Sequence, residues 1–366
     1  MLKIKKQINL LYITSMLGNL SVTGAWVAIL AARGFSLVEI GFAETVFHIT
    51  SLICEIPSGI LADIYGRKKM LLVSQMMAII ANSIMVFSNG IGMVCLSFVF
   101  QALTYNFASG SGDALAYDSL KSVNQEKRYE KYFSNQMIIY RVGTAVSTLC
   151  AGVALFMGYR LAYVISALWH VPLLILTWAL VEVRVDTPVK EYPDVKRIIR
   201  ELIKYFADSL RFLKNNVKAT KLMFANSFVG AMDILLLFFL QAKLTSAGID
   251  NRALGIAFFI MEMGGIVGSK LILKAKKTRY VSIFITCSIG VAAGIILEHT
   301  GLIPIMVLGG FISAMADDAL QVRTDAKLQD MFPSEQRATL ISMGSFTFSV
   351  IMIVLSPLAG YFFSIW

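Results

Sequence analysis

Ionisable side chains inside apolar runs are the residues of this chain best placed to do chemistry. Glu44, His48 and Glu55 share one run, and at 100° per residue they fall within about 40° of one another on a helix. A second run sets Asn106, Gly110, Asp113 and Tyr117 at i, i+4, i+7 and i+11, a polar stripe on an otherwise apolar helix. Arg141 lies in a third, and Asp233, Glu262, Asp317 and Asp318 lie near the middle of three more. A charge at a bilayer centre costs about 2.5–3.5 kcal/mol even on the lenient insertion scale, so such groups pair, hold a solute or carry a proton. Asp113 and Arg141 stand at similar depth from the same end of their runs, which allows a charge-neutralising pair. His48 and Glu55 serve equally well as hydrogen-bonded packing between helices.

Other chemistries find no support. The chain has no GxxxxGK[ST], HExxH or GxSxG, so nucleotide hydrolysis, a zinc protease site and a serine nucleophile are unsupported. Cys54, Cys95, Cys150 and Cys287 fall inside apolar runs without CxxC or Cys/His spacing, which argues against a disulfide framework and a metal site. Neither an enzyme nor a bound cofactor is expected.

The elements that must position these groups follow from composition. With 57% hydrophobic and 15% charged residues over 366 positions, the chain carries more apolar surface than one soluble core can bury. An all-α, polytopic membrane protein is expected. Helices of roughly 20 residues cross a bilayer, and that window places spans near 8–32, 37–63, 70–88, 92–122, 133–158 and 161–182, then near 219–245, 252–273, 278–297, 302–329 and 338–363. The first follows Lys3, Lys5 and Lys6 without a small-residue cleavage site and reads as a retained span. With a cytoplasmic N-terminus, 28 of the 33 Lys and Arg fall inside and 4 outside, the asymmetry of the positive-inside rule. The net charge of +10 therefore reports topology in a cell membrane and contact with anionic lipid, not nucleic-acid binding.

Residues 183–218 form the one long polar stretch, dividing a six-span bundle at 1–182 from a five-span bundle at 219–366. Within this linker Val195, Ile199, Leu202, Phe206, Leu210 and Leu213 recur at helical spacing. That pattern suits a helix in the membrane interface or one packed on the ends of the bundle. The bundles also resemble each other: "DALAYDSLK" from Asp113 matches "DALQVRTDAK" from Asp318 at an offset of 205 residues.

The stretch from Gly59 to Lys69 fits G-x-x-x-D-x-x-G-R-K-K through Gly59, Asp63, Gly66, Arg67, Lys68 and Lys69. Positive-inside topology accounts for the cations but not for a carboxylate and two glycines at fixed spacing. This segment resembles the loop between spans 2 and 3 of the major facilitator superfamily. The resemblance implies a fold of two pseudo-symmetric helical bundles and a latch on the cytoplasmic side. In that latch Asp63 meets the start of the eleventh helix and Arg67 an acid at the end of span 4, here Asp118. Three departures stand beside it. Asn106 occupies the arginine position of a second family motif aligned on Gly110; the proline-bearing glycine motif of many antiporters is missing from "YRVGTAVSTLCAGVAL"; and eleven spans are counted where the family usually has twelve.

The function implied is secondary active transport of a small organic solute by alternating access, with protons as the coupling ion and efflux as the direction. A monomer in the cell membrane is expected. A sugar-like nutrient importer is the alternative, and a non-transporting membrane protein that keeps the fold is a third reading.

Overall fold

The computed structural model describes residues 3–183, 195–275, 277–329, 331 and 337–365, and among them it contains helices and no strand. In chain order the helices are α1 (Ile4–Gly18), α2 (Trp26–Ala32), α3 (Leu37–Tyr65), α4 (Arg67–Phe87) and α5 (Ile91–Ala108). There follow α6 (Ser111–Lys121), α7 (Tyr129–Leu149), α8 (Ala151–Met157), α9 (Tyr159–Trp178) and α10 (Val195–Asn215). The last five are α11 (Val217–Ser246), α12 (Asn251–Leu271), α13 (Tyr280–Glu298), α14 (Ile303–Gln329) and α15 (Arg337–Ile365). Among the described residues ten helical segments are long and apolar enough to cross a membrane. The protein is multi-pass.

The expected first span, 8–32, is not continuous. Helix α1 ends at Gly18, residues 19–25 are non-helical, and α2 resumes at Trp26. The hydropathy window averages across this break, whereas the local chemistry favours it: Gly18 and Gly24 bracket Asn19, Ser21 and Thr23, whose side chains compete with the helical ladder. The expected span 92–122 is likewise split into α5 and α6 at Ser109 and Gly110, where Gly110 takes φ 71°, a left-handed conformation natural to glycine. The span at 133–158 is interrupted at Cys150 between α7 and α8.

By packing, the chain divides into two compact units. Unit 1 comprises Met1–Gly24, Ile49–Cys150 and Met157–Phe206; unit 2 comprises Ala25–His48, Ala151–Phe156 and Ala207–Trp366. In unit 1, Leu11, Leu115, Ala116, Leu120, Tyr132 and Leu180 form a buried cluster. The Gln7 amide closes it by donating to Val181 O at 2.8 Å and accepting from Val181 N at 3.0 Å. Ser74 and Ser97 knit α4 to α5 by donating to the carbonyls of Thr104 and Ala81, each at 2.8 Å. On α10, whose residues divide between the two units, Ser209 is buried while Ile199, Ile203 and Leu210 stay exposed.

Unit 2 is built on glycine crossings. Helix α14 packs against α12 and α13, and a Cβ at Gly264 or Gly268 of α12 would overlap the carbonyl oxygens of Phe311 and Met315. Without a hydrophobic drive between helices in lipid, such small-residue contacts supply the packing. Gly268→Ala is therefore expected to lower stability by roughly 1–3 kcal/mol through overpacking. Gly59→Ala, where a Cβ meets nothing within 4 Å among the described residues, places a better helix former in an exposed helix interior and is expected to raise stability by up to about 1 kcal/mol. Thermal unfolding of the two purified variants makes the comparison, and equal midpoints would refute the close crossing.

Candidate functional site

Unit 1 holds the motif of the α3–α4 turn. Helix α3 runs to Tyr65, and Gly66 reverses the chain at φ 106°, a conformation that side chains resist. Helix α4 then starts at Arg67. The Arg67 guanidinium forms an ion pair with Asp118 of α6 and donates to Ala114 O at 2.9 Å. The first N–H groups of α4, on Arg67 and Lys68, are capped by the Glu182 carboxylate at 3.1 and 2.8 Å, an acid well suited to the positive end of a helix dipole. The Lys68 ammonium lies 5.9 Å from the Trp178 ring centre, and Lys69 is exposed. The Asp63 side chain lies outside the described residues.

The polar stripe expected on span 4 does not lie on one continuous helix, because the chain breaks at Ser109 and Gly110 between α5 and α6. Asn106, on α5, is buried and donates to Ser51 O at 2.8 Å. Asp113 sits in the first turn of α6, where the helix N-terminus offsets its charge. Tyr117 is 40% exposed with its ring against Tyr129. The Arg141 side chain lies outside the described residues, and so does its pairing with Asp113.

The single face expected on span 2 is divided between the units. Glu55, in unit 1, accepts from the Tyr205 hydroxyl at 3.4 Å. Glu44 and His48, in unit 2, lie 3.3 Å apart and buried, with the His48 ring edge-on to Phe348. The same part of α3 is clamped to α15: Thr45 donates to Ile353 O at 3.1 Å, and a Cβ at Gly41 would overlap the Ser356 carbonyl.

Unit 2 also gathers the second set of intramembrane acids. Asp233 of α11 and Asp317 of α14 are 4% and 8% exposed, and the Oδ1 atom of each is buried without a hydrogen-bond partner among the described residues. Gly230, one turn before Asp233, makes the room: a Cβ there would stand 3.1 Å from Asp317 Oδ1. Asp318 lies against Gly265 of α12, and Glu262 of α12, Ser313 of α14 and Cys287 of α13 complete the surroundings. Two buried carboxylates in such packing need a counter-charge, a proton or a cation.

Sequence reasoning passed over three groups. Glu182 was hidden because its partners are 115 positions away. His170 and Glu298 carried the same signal as the acids above, a polar group within an apolar run. Glu298 is 2% exposed with neither carboxylate oxygen hydrogen-bonded among the described residues, and His170 Nδ1 lies 2.7 Å from Gln75 Oε1.

Comparison with known proteins settles the family. The model of the Major Facilitator Superfamily matches residues 8–357. The chain belongs to that superfamily. It is a transporter of a small solute and not an enzyme. A relative from Bacillus subtilis (strain 168), described as the uncharacterized MFS-type transporter YxaM, is 23% identical over 331 residues, covering 87% of this chain and 79% of the relative. The nucleoside transporter NupG superposes with a TM-score of 0.71 at 15% identity, over 98% of this chain and 91% of its own. The D-xylose-proton symporter superposes with a TM-score of 0.63 at 12% identity, over 97% of this chain and 88% of its own. These superfamily structures share the fold.

Proposed function

We propose that this superfamily member is a proton-coupled secondary transporter in the cell membrane, with its N-terminus in the cytoplasm, that moves a small organic solute outward in exchange for protons. The observation that carries the coupling is the Asp233–Asp317 pair, two buried carboxylates on different helices with orphaned oxygens and no cation among the groups described around them. A proton shared there changes how tightly α11 and α14 attract each other, and a group that binds one conformation better biases the equilibrium toward it. The Gly59–Lys69 segment with Asp118 is assigned the cytoplasmic latch, on the support of the Arg67–Asp118 ion pair.

Uptake of the solute together with a proton is the second reading, supported by the D-xylose-proton symporter among the fold relatives. Solute flux in proteoliposomes, with a pH gradient imposed in each direction, tests both. Exchange driven by opposed gradients supports efflux, and parallel movement supports uptake. Flux indifferent to pH overturns proton coupling.

A further inference from the structure

The proposed function leaves one built feature of unit 1 without a role: the unwound middle of the first span and the cavity against it. The unwound segment is pinned from two sides. From α7, the Ser147 hydroxyl donates to Asn19 O and accepts from Ser21 N, both at 2.8 Å. Gly143, one turn earlier, lets Asn19 approach so closely that a Cβ there would stand 2.6 Å from the Asn19 side chain. From α9, the Trp169 indole donates to Leu17 O at 2.9 Å, and the Ser166 hydroxyl lies 3.4 Å from that of Thr23. Backbone that leaves the helical ladder inside a membrane is tolerated where it is buried in protein or lines a cavity, and here it does line one. The cavity measures about 450 Å³, within the roughly 300–1,000 Å³ of small-molecule sites.

The lining defines what the cavity accepts. Among the described residues it contains no Asp, Glu, Lys or Arg. Its polar groups are of the kind that both donate and accept: the amides of Asn82 and Gln101, and the hydroxyls of Thr104, Ser21 and Ser166. His170 adds a further polar group: its Nδ1 lies 2.7 Å from Gln75 Oε1, which suits an Nδ1–H donor, and a neutral ring in that tautomer has Nε2 left to accept. Trp169 contributes a flat apolar wall. A charged solute would meet no opposite charge there and would lose its hydration, whereas an apolar one would leave the amides unpaired. An uncharged ring molecule edged with hydroxyls satisfies both sides.

We propose that this cavity, built wholly within unit 1, is a binding site for a small uncharged polyhydroxylated solute of monosaccharide size. Hydroxyls pair with Asn82, Gln101 and His170, and a less polar ring face rests on Trp169. The proposal rests on the reading of the chain as a solute transporter and narrows it to a substrate class.

Cys150, on the cavity wall, supplies a reporter that leaves the polar lining intact. In a full-length chain with Cys54, Cys95 and Cys287 replaced by alanine, maleimide labelling of Cys150 is followed with D-xylose, D-glucose, D-glucuronate or D-glucosamine present. At least one of the two neutral sugars is expected to slow labelling several-fold, and the charged analogues are not. Asn82→Leu and His170→Phe, each checked as a monodisperse species, should weaken binding of the protecting sugar by about tenfold or more, the cost of stranding its hydroxyls. The proposal is overturned if neither neutral sugar protects, if a charged analogue protects equally, or if both variants bind as the parent does. Proteoliposome flux on the parent chain keeps the two readings apart: solute movement without protection sinks this site alone, and loss of all movement sinks the transporter function.

Discussion

Asp317→Asn is expected to reduce pH-gradient-driven flux by roughly ten- to a hundredfold, the span of a typical coupling free energy, while solute exchange without a gradient continues. Asparagine keeps the shape of the side chain, so the space that Gly230 leaves for it remains filled. What is lost is the ability to take up and release a proton. Asp233→Asn should behave the same way, because Asp233 is buried one turn from Gly230, the glycine against which the Asp317 carboxylate rests. If they hold one proton between them, the double variant is no worse than either single one to within about twofold, whereas independent sites would multiply their losses. The neighbouring acids Asp318 and Glu262 remain in all three proteins and serve as the internal comparison. Gradient-driven flux that survives in both single variants would move the coupling elsewhere, with Asp113 and Glu298 as the next intramembrane carboxylates to replace.

The acids of unit 2 were legible in the sequence because a carboxylate in an apolar run is conspicuous whatever it touches. Their arrangement was not. The proximity of Asp233 and Asp317 depends on a glycine one turn from the first and on a helix crossing more than eighty positions along the chain. The Arg67 loop was legible for a different reason, since its turn is local: a glycine at positive φ and the start of a helix follow from consecutive residues. Its helix cap was not, because Glu182 arrives from the far end of α9. The breaks in the first and fourth spans show where window averaging fails. Leucines and isoleucines on both sides keep the mean hydropathy high, yet Gly18, Gly24 and Gly110 mark the places where the backbone departs. A reading that weighted those glycines with the hydroxyls around them would have divided both spans, and with them the supposed stripe from Asn106 to Tyr117.

The ion pair at Arg67 is the second place where a large effect is expected. Its guanidinium is tied to Asp118 and to Ala114 O on the same helix, and the side chains are 22% and 10% exposed. Removing one member of a buried pair costs about 3–5 kcal/mol, because the other charge is left stranded. The residual exposure of Arg67 brings the expectation for Asp118→Asn down to about 2 kcal/mol of stability. Exchanging the charges, with Arg67→Asp and Asp118→Arg together, should recover part of that loss. It cannot recover all of it, since a carboxylate at position 67 has no donor for Ala114 O. Glu182→Gln should cost less, about 1 kcal/mol, because an amide oxygen still accepts from the first turn of α4 while the charge opposite the helix dipole disappears. Thermal unfolding orders these four proteins, and flux measured well below every midpoint separates two roles for the pair. If Asp118→Asn unfolds earlier but transports at the parent rate while folded, Arg67 only fastens the loop to α6. If flux falls by tenfold or more in fully folded protein and returns with the charge exchange, the pair belongs to the transport cycle, because a fastening with no part in the cycle would not restore rate when its polarity is reversed.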